Sequence, residues 1–334
     1  MLVLHPAWAM DKISPFYIGD LDPLDVVENE ISRDFRNLNV LLREKGLYKS
    51  DPWFWMREVL KFVVLWSGMV YLCVCGNGNN WSYLMSALLA AQLWHQAAFV
   101  AHDGKFLNMF ALTFLAGHSG ISHVRNADMM FGIVLAGFFG GLSLGWWKHS
   151  HNVHHIITND PEHDPDIQHL PFFAVTKRFT QNLYSTFHKR IMHFDRAAAF
   201  FVKWQAKLYY IVLAFGRFNL YVQSWDFVLN HDQVFHRTLE ISCMLGFWAW
   251  FGFVLSYMPS AWHIFGFIMV SHLVTFILHL QITLSHFGMS TEEPQDYEET
   301  FAEKALRTSM DVDCPRWMDW FHGGLQVRPC FLSH

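Results

Sequence analysis

The sequence predicts an all-α integral membrane protein with four transmembrane helices in two hairpins. Three observations support this fold class. Of 334 residues, 52% are hydrophobic and only 16% are charged. The apolar residues form runs long enough to cross a bilayer, and short turn-like loops join these runs in pairs. A soluble domain of this size would interleave more polar positions. The net charge of −5 argues against a nucleic-acid partner.

The chain divides into two parts. Residues 1–50 are expected to form a cytosolic N-terminal segment, because residues 20–50 carry charges of both signs. The first residues show no basic stretch followed by an apolar core and a cleavage site, so we expect no cleavable signal. Residues 51–334 are expected to form the membrane domain.

Two pairs of apolar runs define the predicted hairpins. They cover residues 59–75, 82–101, 241–257 and 264–281. The joining loops, 76–81 and 258–263, contain no lysine or arginine, whereas the regions outside the hairpins contain several. By the positive-inside rule the loops face the lumen, and the termini and the centre of the chain face the cytosol.

Two further apolar stretches do not fit four straight spans. If residues 129–147 crossed the membrane, His102 before them and His151 after them would lie on opposite faces and could not share a metal. We therefore expect 129–147 to be re-entrant or interfacial. Residues 197–215 contain two lysines, and we expect an interfacial helix whose lysines extend to the headgroups.

A histidine-rich stretch carries the chemistry. Residues 149–169 contain six histidines, and on a helix His151, His154 and His155 stand at i, i+3 and i+4. Three imidazoles on one face can converge on a metal, and zinc, copper and iron all accept imidazole. Histidines without cysteine, close to carboxylates, favour an oxygen-tolerant iron or zinc site. The alternative, exposed polar side chains at a membrane edge, explains a lone histidine better than it explains this HxxHH pattern.

The run from Gly140 to Pro171 resembles the second histidine box of the front-end type of membrane fatty-acid desaturases, and it is most similar to the fungal sphingolipid delta-8 group. The resemblance extends from about residue 50 to Gln326 and includes residues 304–310 and 317–326. It therefore covers most of the chain.

The resemblance implies a membrane enzyme with two iron ions held by histidines from three boxes. It also implies molecular oxygen as a co-substrate, electrons from cytochrome b5 and its reductase, a ceramide or acyl-lipid substrate, and a multi-pass location in the endoplasmic reticulum. The metal ligands that it implies are His102, His118, His151, His154 and His155, with His123, His286 and His322 as further candidates. Nearby carboxylates are expected to orient these ligands, namely Asp160, Glu162, Asp164 and Asp166.

The first box departs from the family pattern HDxGH. Residues 104–115 separate His102-Asp103 from Ala116-Gly117-His118, and without them the chain would contain His-Asp-Ala-Gly-His. The two histidines are 16 positions apart, which corresponds to about 24 Å along a continuous helix. We expect this interruption to damage the box unless the insert loops out.

Two other family features are missing. After Gly-Gly-Leu-Gln326 the family continues to a QxxHH box, but this chain diverges over residues 327–334. Residues 1–50 contain no His-Pro-Gly-Gly haem motif of cytochrome b5, since His5-Pro6 is followed by Ala7-Trp8. We expect either a separate cytochrome b5 or a longer N-terminus. The residue pairs Gly104-Lys105 and Val327-Arg328 have codons that can begin an intron, so retained introns are our hypothesis for both divergent stretches.

The function expected from the resemblance is delta-8 desaturation of the long-chain base of a sphingolipid. Two alternatives stay open: a front-end desaturase of acyl-lipids or acyl-CoA, and a catalytically inactive desaturase-like fragment. A histidine-rich metal transporter is disfavoured, because its histidines should line a path through the membrane. The substrate is not separable by sequence, since chain length and headgroup are selected by the shape of an apolar tunnel.

Overall fold

The structure is a computed structural model that describes residues 30–46, 52–103, 125–232, 234–284, 286–294, 299–310 and 312–323. It is mostly helical. The helices are α1 Glu30–Glu44, α2 Pro52–Val74, α3 Asn80–Asp103, α4 Arg125–Ile133, α5 Leu144–Ile156, α6 Arg196–Asn230, α7 Arg237–Ser256, α8 Ala261–Leu273, α9 Phe276–Leu284, α10 Phe301–Arg307 and α11 Asp319–His322. A π-helical segment, Val134–Phe139, extends α4.

Helices α2 and α3 form a tightly packed hairpin. The turn between them contains Asn77 and Gly78, both with positive φ, and this lets the chain reverse within five residues. In the contact between the helices, the buried Ser86 hydroxyl donates to the carbonyl of Met69 at 2.7 Å. Helix α3 also packs against α8, and the two hairpins share one apolar core.

Two helical stretches within the described residues are long and apolar enough to cross a membrane. They are Arg237–Ser256 and Ala261–Leu284, and the second comprises α8 and α9. Helices α2 and α3 do not meet this criterion. The first half of α2 contains the charged residues Arg57, Glu58 and Lys61, and α3 contains several polar side chains. The prediction of an α-helical membrane protein is confirmed, whereas four spans remain a prediction.

The stretch between α4 and α5 bends sharply. The axes of Asp128–Phe139 and Leu144–Ile156 differ by 116°, so residues 129–147 do not form a straight span, as predicted. Gly141 lies in the bend with φ +72, and a Cβ there would stand 2.5 Å from the Phe247 ring. Only glycine fits both the backbone conformation and the space.

Side chains from three helices cap the carbonyls at this bend. Trp250 Nε1 donates to the carbonyl of Phe138 at 2.7 Å, and Trp94 Nε1 donates to that of Phe139 at 2.9 Å. The buried Arg217 donates through Nη2 to the carbonyl of Gly140 at 2.6 Å. Backbone groups that the bend deprives of helical partners are thereby satisfied.

Helix α6 is longer than the interfacial helix predicted over residues 197–215. It runs for 35 residues to Asn230. Lys203 and Lys207 are exposed, and Lys207 Nζ lies 4.8 Å from the centre of the Trp204 ring. One face of the second half of α6 is buried, from Arg217 to Val228. Gly216 and Arg217 interrupt the apolar run after residue 215, although the helix continues through them.

The segment between α5 and α6 contains a small antiparallel hairpin, which was not predicted, within an otherwise helical fold. Strands β1 Leu183–Ser185 and β2 Arg190–Met192 pair with Ser185 opposite Arg190. Each strand has three residues, too few for an alternating pattern to signal it. A buried apolar group of Ile167, Phe179 and Met192 holds the hairpin against the loop that follows α5.

Candidate metal centre

Helix α5 carries the three histidines and starts at a well-defined cap. Ser143 Oγ accepts a hydrogen bond from the N–H of Trp146 at 3.0 Å. The carboxylate of Glu240, in the first turn of α7, accepts from Ser143 Oγ and from the N–H of Gly145. Glu240 is only 1% exposed. A buried carboxylate at a helix N-terminus is stabilised by the free N–H groups and the helix dipole, so this contact fixes where α5 begins.

The histidine cluster, defined as His151, His154 and His155, lies on one face of α5 as predicted. The Nε2 atoms of His151 and His155 are 2.9 Å apart. Two nitrogens bound to one metal at right angles, each at about 2.1 Å, would be separated by about 3.0 Å. The His154 ring centroid lies 5.7 Å and 5.5 Å from those of His151 and His155. The Nε2 separation of His151 and His155 is that of a hydrogen bond between the two rings, and it is also the separation expected for two ligands of one metal.

Two carboxylates contact the Nδ1 atoms of His154 and His151. His154 Nδ1 donates to Asp164 Oδ2 at 2.8 Å, and His151 Nδ1 is 3.2 Å from Asp166 Oδ2. A histidine whose Nδ1–H is taken by a carboxylate presents the lone pair of Nε2 to a metal. Both carboxylates were predicted to orient ligands, and the structure brings each into contact with one histidine.

The other two predicted carboxylates have different partners. Asp160 Oδ1 lies 2.7 Å from His163 Nδ1, and Glu162 pairs with Arg178. Burial by itself would raise the pKa of Asp160, but hydrogen bonds from His163 and from the backbone N–H of Glu162 outweigh it and lower the pKa. These two acids therefore stabilise the loop instead of contacting the histidine cluster.

His286 reaches the cluster from the segment after α9. Its ring centroid lies 4.6 Å from that of His154, with the rings nearly perpendicular at 82°. Its Nδ1 donates to the carbonyl of Thr308 at 3.0 Å, which leaves Nε2 as the nitrogen with a lone pair. The structure thus places this further candidate beside the predicted ligands.

His322 lies in a separate polar network that crosses α2, α3, α9 and α11. Each donor finds an acceptor: Lys61 Nζ donates to Gln96 Oε1, Gln96 Nε2 to His95 Nδ1, His95 Nε2 to Gln281 Oε1, and Gln281 Nε2 to His322 Nδ1. In this arrangement His322 accepts at Nδ1 and carries its hydrogen on Nε2. The network therefore favours a structural role for His322.

The remaining predicted ligands are only partly described. His118 and His123 lie outside the described residues. The backbone of His102 belongs to the last turn of α3, but its side chain is also outside them. Within the part of the chain that the structure describes, no group of three or more His, Cys, Asp or Glu side chains is arranged to hold a metal ion. The described residues supply only part of a donor set, whose imidazole chemistry fits iron.

Sequence reasoning missed two residues that shape this site, Glu240 and Asn159. Glu240 could have been noticed because it is a single acid at the start of an apolar run, and ionisable residues near a span are often functional. Asn159 gave no comparable signal, because a polar residue after a helix usually marks only a turn.

Comparison with known proteins finds a matching family model and similar proteins. The family model described as fatty acid desaturase matches residues 106–328. The Delta 8-(E)-sphingolipid desaturase of Emericella nidulans is 44% identical over 309 residues, which make up 90% of this chain and 53% of that protein. The Delta 8-(E)-sphingolipid desaturase of Candida albicans is 42% identical over 327 residues, with shares of 95% and 53%.

A plant protein is also similar. The Delta(8)-fatty-acid desaturase 2 of Arabidopsis thaliana is 31% identical over 327 residues, which cover 98% of this chain and 70% of that protein. The chain spans about half the length of the fungal relatives. No solved structure matches the chain.

Proposed function

This chain belongs to the fatty acid desaturase family, and on that premise we propose that it introduces a delta-8 double bond into the long-chain base of a sphingolipid. The observation that carries the proposal is the histidine cluster of α5, in which two rings have their Nδ1 atoms against carboxylates. The names of the fungal relatives support the choice of sphingolipid as substrate.

Iron would be held by the histidine cluster together with His286, His102 and His118. Two iron ions, when bound, would supply the activation of oxygen that is needed to remove hydrogens from an unactivated carbon chain, which side-chain acids and bases cannot do. Asp164 and Asp166 contact the Nδ1 atoms of two rings, which leaves Nε2 of each as the nitrogen that would bind iron. Oxygen would be the co-substrate and cytochrome b5 the electron donor, as the family resemblance implies.

We propose that the hairpins α2–α3 and α7–α9 both cross the membrane of the endoplasmic reticulum. The close packing of α3 against α8 supports this arrangement, because it places the first hairpin beside the two helices that meet the criterion for spanning. The bent segment between α4 and α5 would then return to the cytosolic side with the histidine cluster.

Expression in a yeast strain that lacks its own sphingolipid delta-8 desaturase tests the substrate. Mass spectrometry should detect a delta-8 unsaturated long-chain base only when the chain is expressed. Unsaturation of acyl chains with a saturated long-chain base would instead identify the front-end acyl desaturase alternative.

A catalytically inactive desaturase-like protein is the second candidate, favoured by the residues that separate His102 from His118 and by the divergence after Gln326. Iron analysis of the purified chain separates the two. Two irons per chain with product formation would refute inactivity, whereas zero or one iron without product would support it.

A further inference from the structure

Asn159 lies just beyond the C-terminal end of α5 and contacts two separate parts of the metal centre. Its backbone N–H donates to Asp164 Oδ2 at 2.7 Å, the same oxygen that pairs with His154. Its side-chain Nδ2 donates to the carbonyl of His286 at 2.9 Å and lies 3.4 Å from the carbonyl of Met289. One residue therefore joins the His154–Asp164 pair to the backbone of His286.

The conformation of Asn159 explains why this residue type occurs here. Its φ is +62, in the left-handed region that glycine and asparagine adopt most readily. Glycine would satisfy the backbone but would leave the carbonyl of His286 without this donor. The side chain is 2% exposed, and its Oδ1 has no hydrogen-bond partner among the described residues. Burying an unpaired amide oxygen is unfavourable, so the two contacts of Nδ2 must compensate for it.

The contact matters because His286 is remote in sequence. Asn159 and His286 are 127 positions apart, and His286 precedes a loop instead of lying within a helix. The carbonyl of Thr308 orients its ring through Nδ1, but that bond does not hold its main chain against α5. Asn159 supplies the main-chain contact.

We propose that Asn159 is a positioning residue that fixes the distance between His154 and His286 by binding the carboxylate partner of the first and the main chain of the second. The proposal deepens the function proposed above and rests on it for the role of iron. We call the two contacts of Asn159 the clamp. The clamp holds the segment 286–289, and its effect on this segment can be tested without iron.

Two substitutions separate the side chain from the backbone. Asn159→Gly keeps the left-handed conformation and the N–H to Asp164 but removes the carboxamide. Asn159→Asp keeps the side-chain size but replaces Nδ2 by an oxygen that cannot donate to His286. Asn77→Gly is the matched control, because Asn77 also has a positive φ and lies exposed in the loop between α2 and α3.

Hydrogen exchange and metal content are then measured on the full purified chain. In both Asn159 variants, the peptide containing residues 286–289 should exchange faster while α7 and α8 keep their rates, and apparent iron affinity should fall about tenfold or more. Asn77→Gly should change neither. Unchanged exchange at 286–289, or faster exchange throughout the chain, would overturn the proposal. If the unsubstituted chain binds no iron, the proposed function fails, but the exchange result still decides whether the clamp exists.

Discussion

His154 and Asp164 form an enclosed polar pair in the candidate metal centre, with Nδ1 and Oδ2 separated by 2.8 Å and side chains that are 5% and 0% exposed. Asp164 also accepts hydrogen bonds from the backbone N–H of Asn159 and of Asp166. One carboxylate thus orients the His154 ring, a proposed iron ligand, and stabilises the loop that follows α5.

Asp164→Asn should weaken iron binding. The amide cannot both accept from the loop N–H groups and hold His154 Nδ1–H as strongly, so we expect apparent iron affinity to fall about 10- to 100-fold. Anaerobic iron titration measures this. Asp166→Asn should cost less, because that contact is longer and more exposed. Asp160→Asn is the control, since Asp160 contacts His163; equal losses in all three variants would contradict the specific role of Asp164.

His154→Ala and His155→Ala should each reduce bound iron and bring product formation to background, because each removes one imidazole from the histidine cluster. His149→Ala is the matched control on the same helix. His149 faces Phe227 and His231 instead of the cluster, so its loss should leave iron content unchanged. Elemental analysis of the purified variants decides, and normal iron content in His154→Ala would exclude it as a ligand.

Arg217→Lys should destabilise the bend between α4 and α5. Arg217 donates simultaneously to Gly140 and to Tyr221 Oη, and its guanidinium carbon lies 4.0 Å from the Trp94 ring centroid. Lysine cannot reproduce this planar geometry, so the free energy of unfolding should fall by about 2 kcal/mol. Denaturant unfolding in detergent measures it.

The exposed Arg196 at the start of the same helix is the control for Arg217. Arg196→Lys should change the free energy of unfolding by about 0.5 kcal/mol or less. Similar effects at both positions would show that the buried contacts of Arg217 contribute nothing specific.

Glu240→Ala should loosen the start of α5, because Ser143 Oγ and the N–H of Gly145 would lose their acceptor. We expect a loss of about 1–3 kcal/mol in the free energy of unfolding. Glu240→Gln should lose less, since its amide oxygen still accepts. A double-mutant cycle with Ser143→Ala measures the coupling, and a coupling energy near zero would contradict a shared cap.

Deleting residues 104–115 should improve the first histidine box. The deletion returns His102 and His118 to positions i and i+4, where their side chains share one helix face. Iron per chain should increase relative to the full chain, and the increase should disappear when His102→Ala is added. Transcript sequencing tests the underlying hypothesis independently: a message that encodes residues 104–115 in abundant protein would argue against a retained intron.

The spacing of histidines and the runs of apolar residues predicted those features of the fold that depend on residues close together in sequence. The HxxHH spacing placed His151, His154 and His155 on one face, because helical periodicity alone determines which side chains share a face. The second hairpin was visible as apolar runs. That residues 129–147 do not form a straight span was predicted from the expectation that His102 and His151 lie on one face of the membrane and share a metal. The β-hairpin and the full length of α6 were not predicted, because short strands and a helix that is buried on one face depend on what packs against them.

The sequence by itself determined the membrane character of the chain, its family and the histidine face of α5, since these are encoded in composition and short-range spacing. Tertiary structure decided what surrounds that face. Glu240 reaches Gly145 across 95 positions, and Asn159 reaches His286 across 127. Such contacts leave no periodic signal, because they arise only when packing of the apolar helices brings distant polar groups together in a site where each buried donor must find an acceptor.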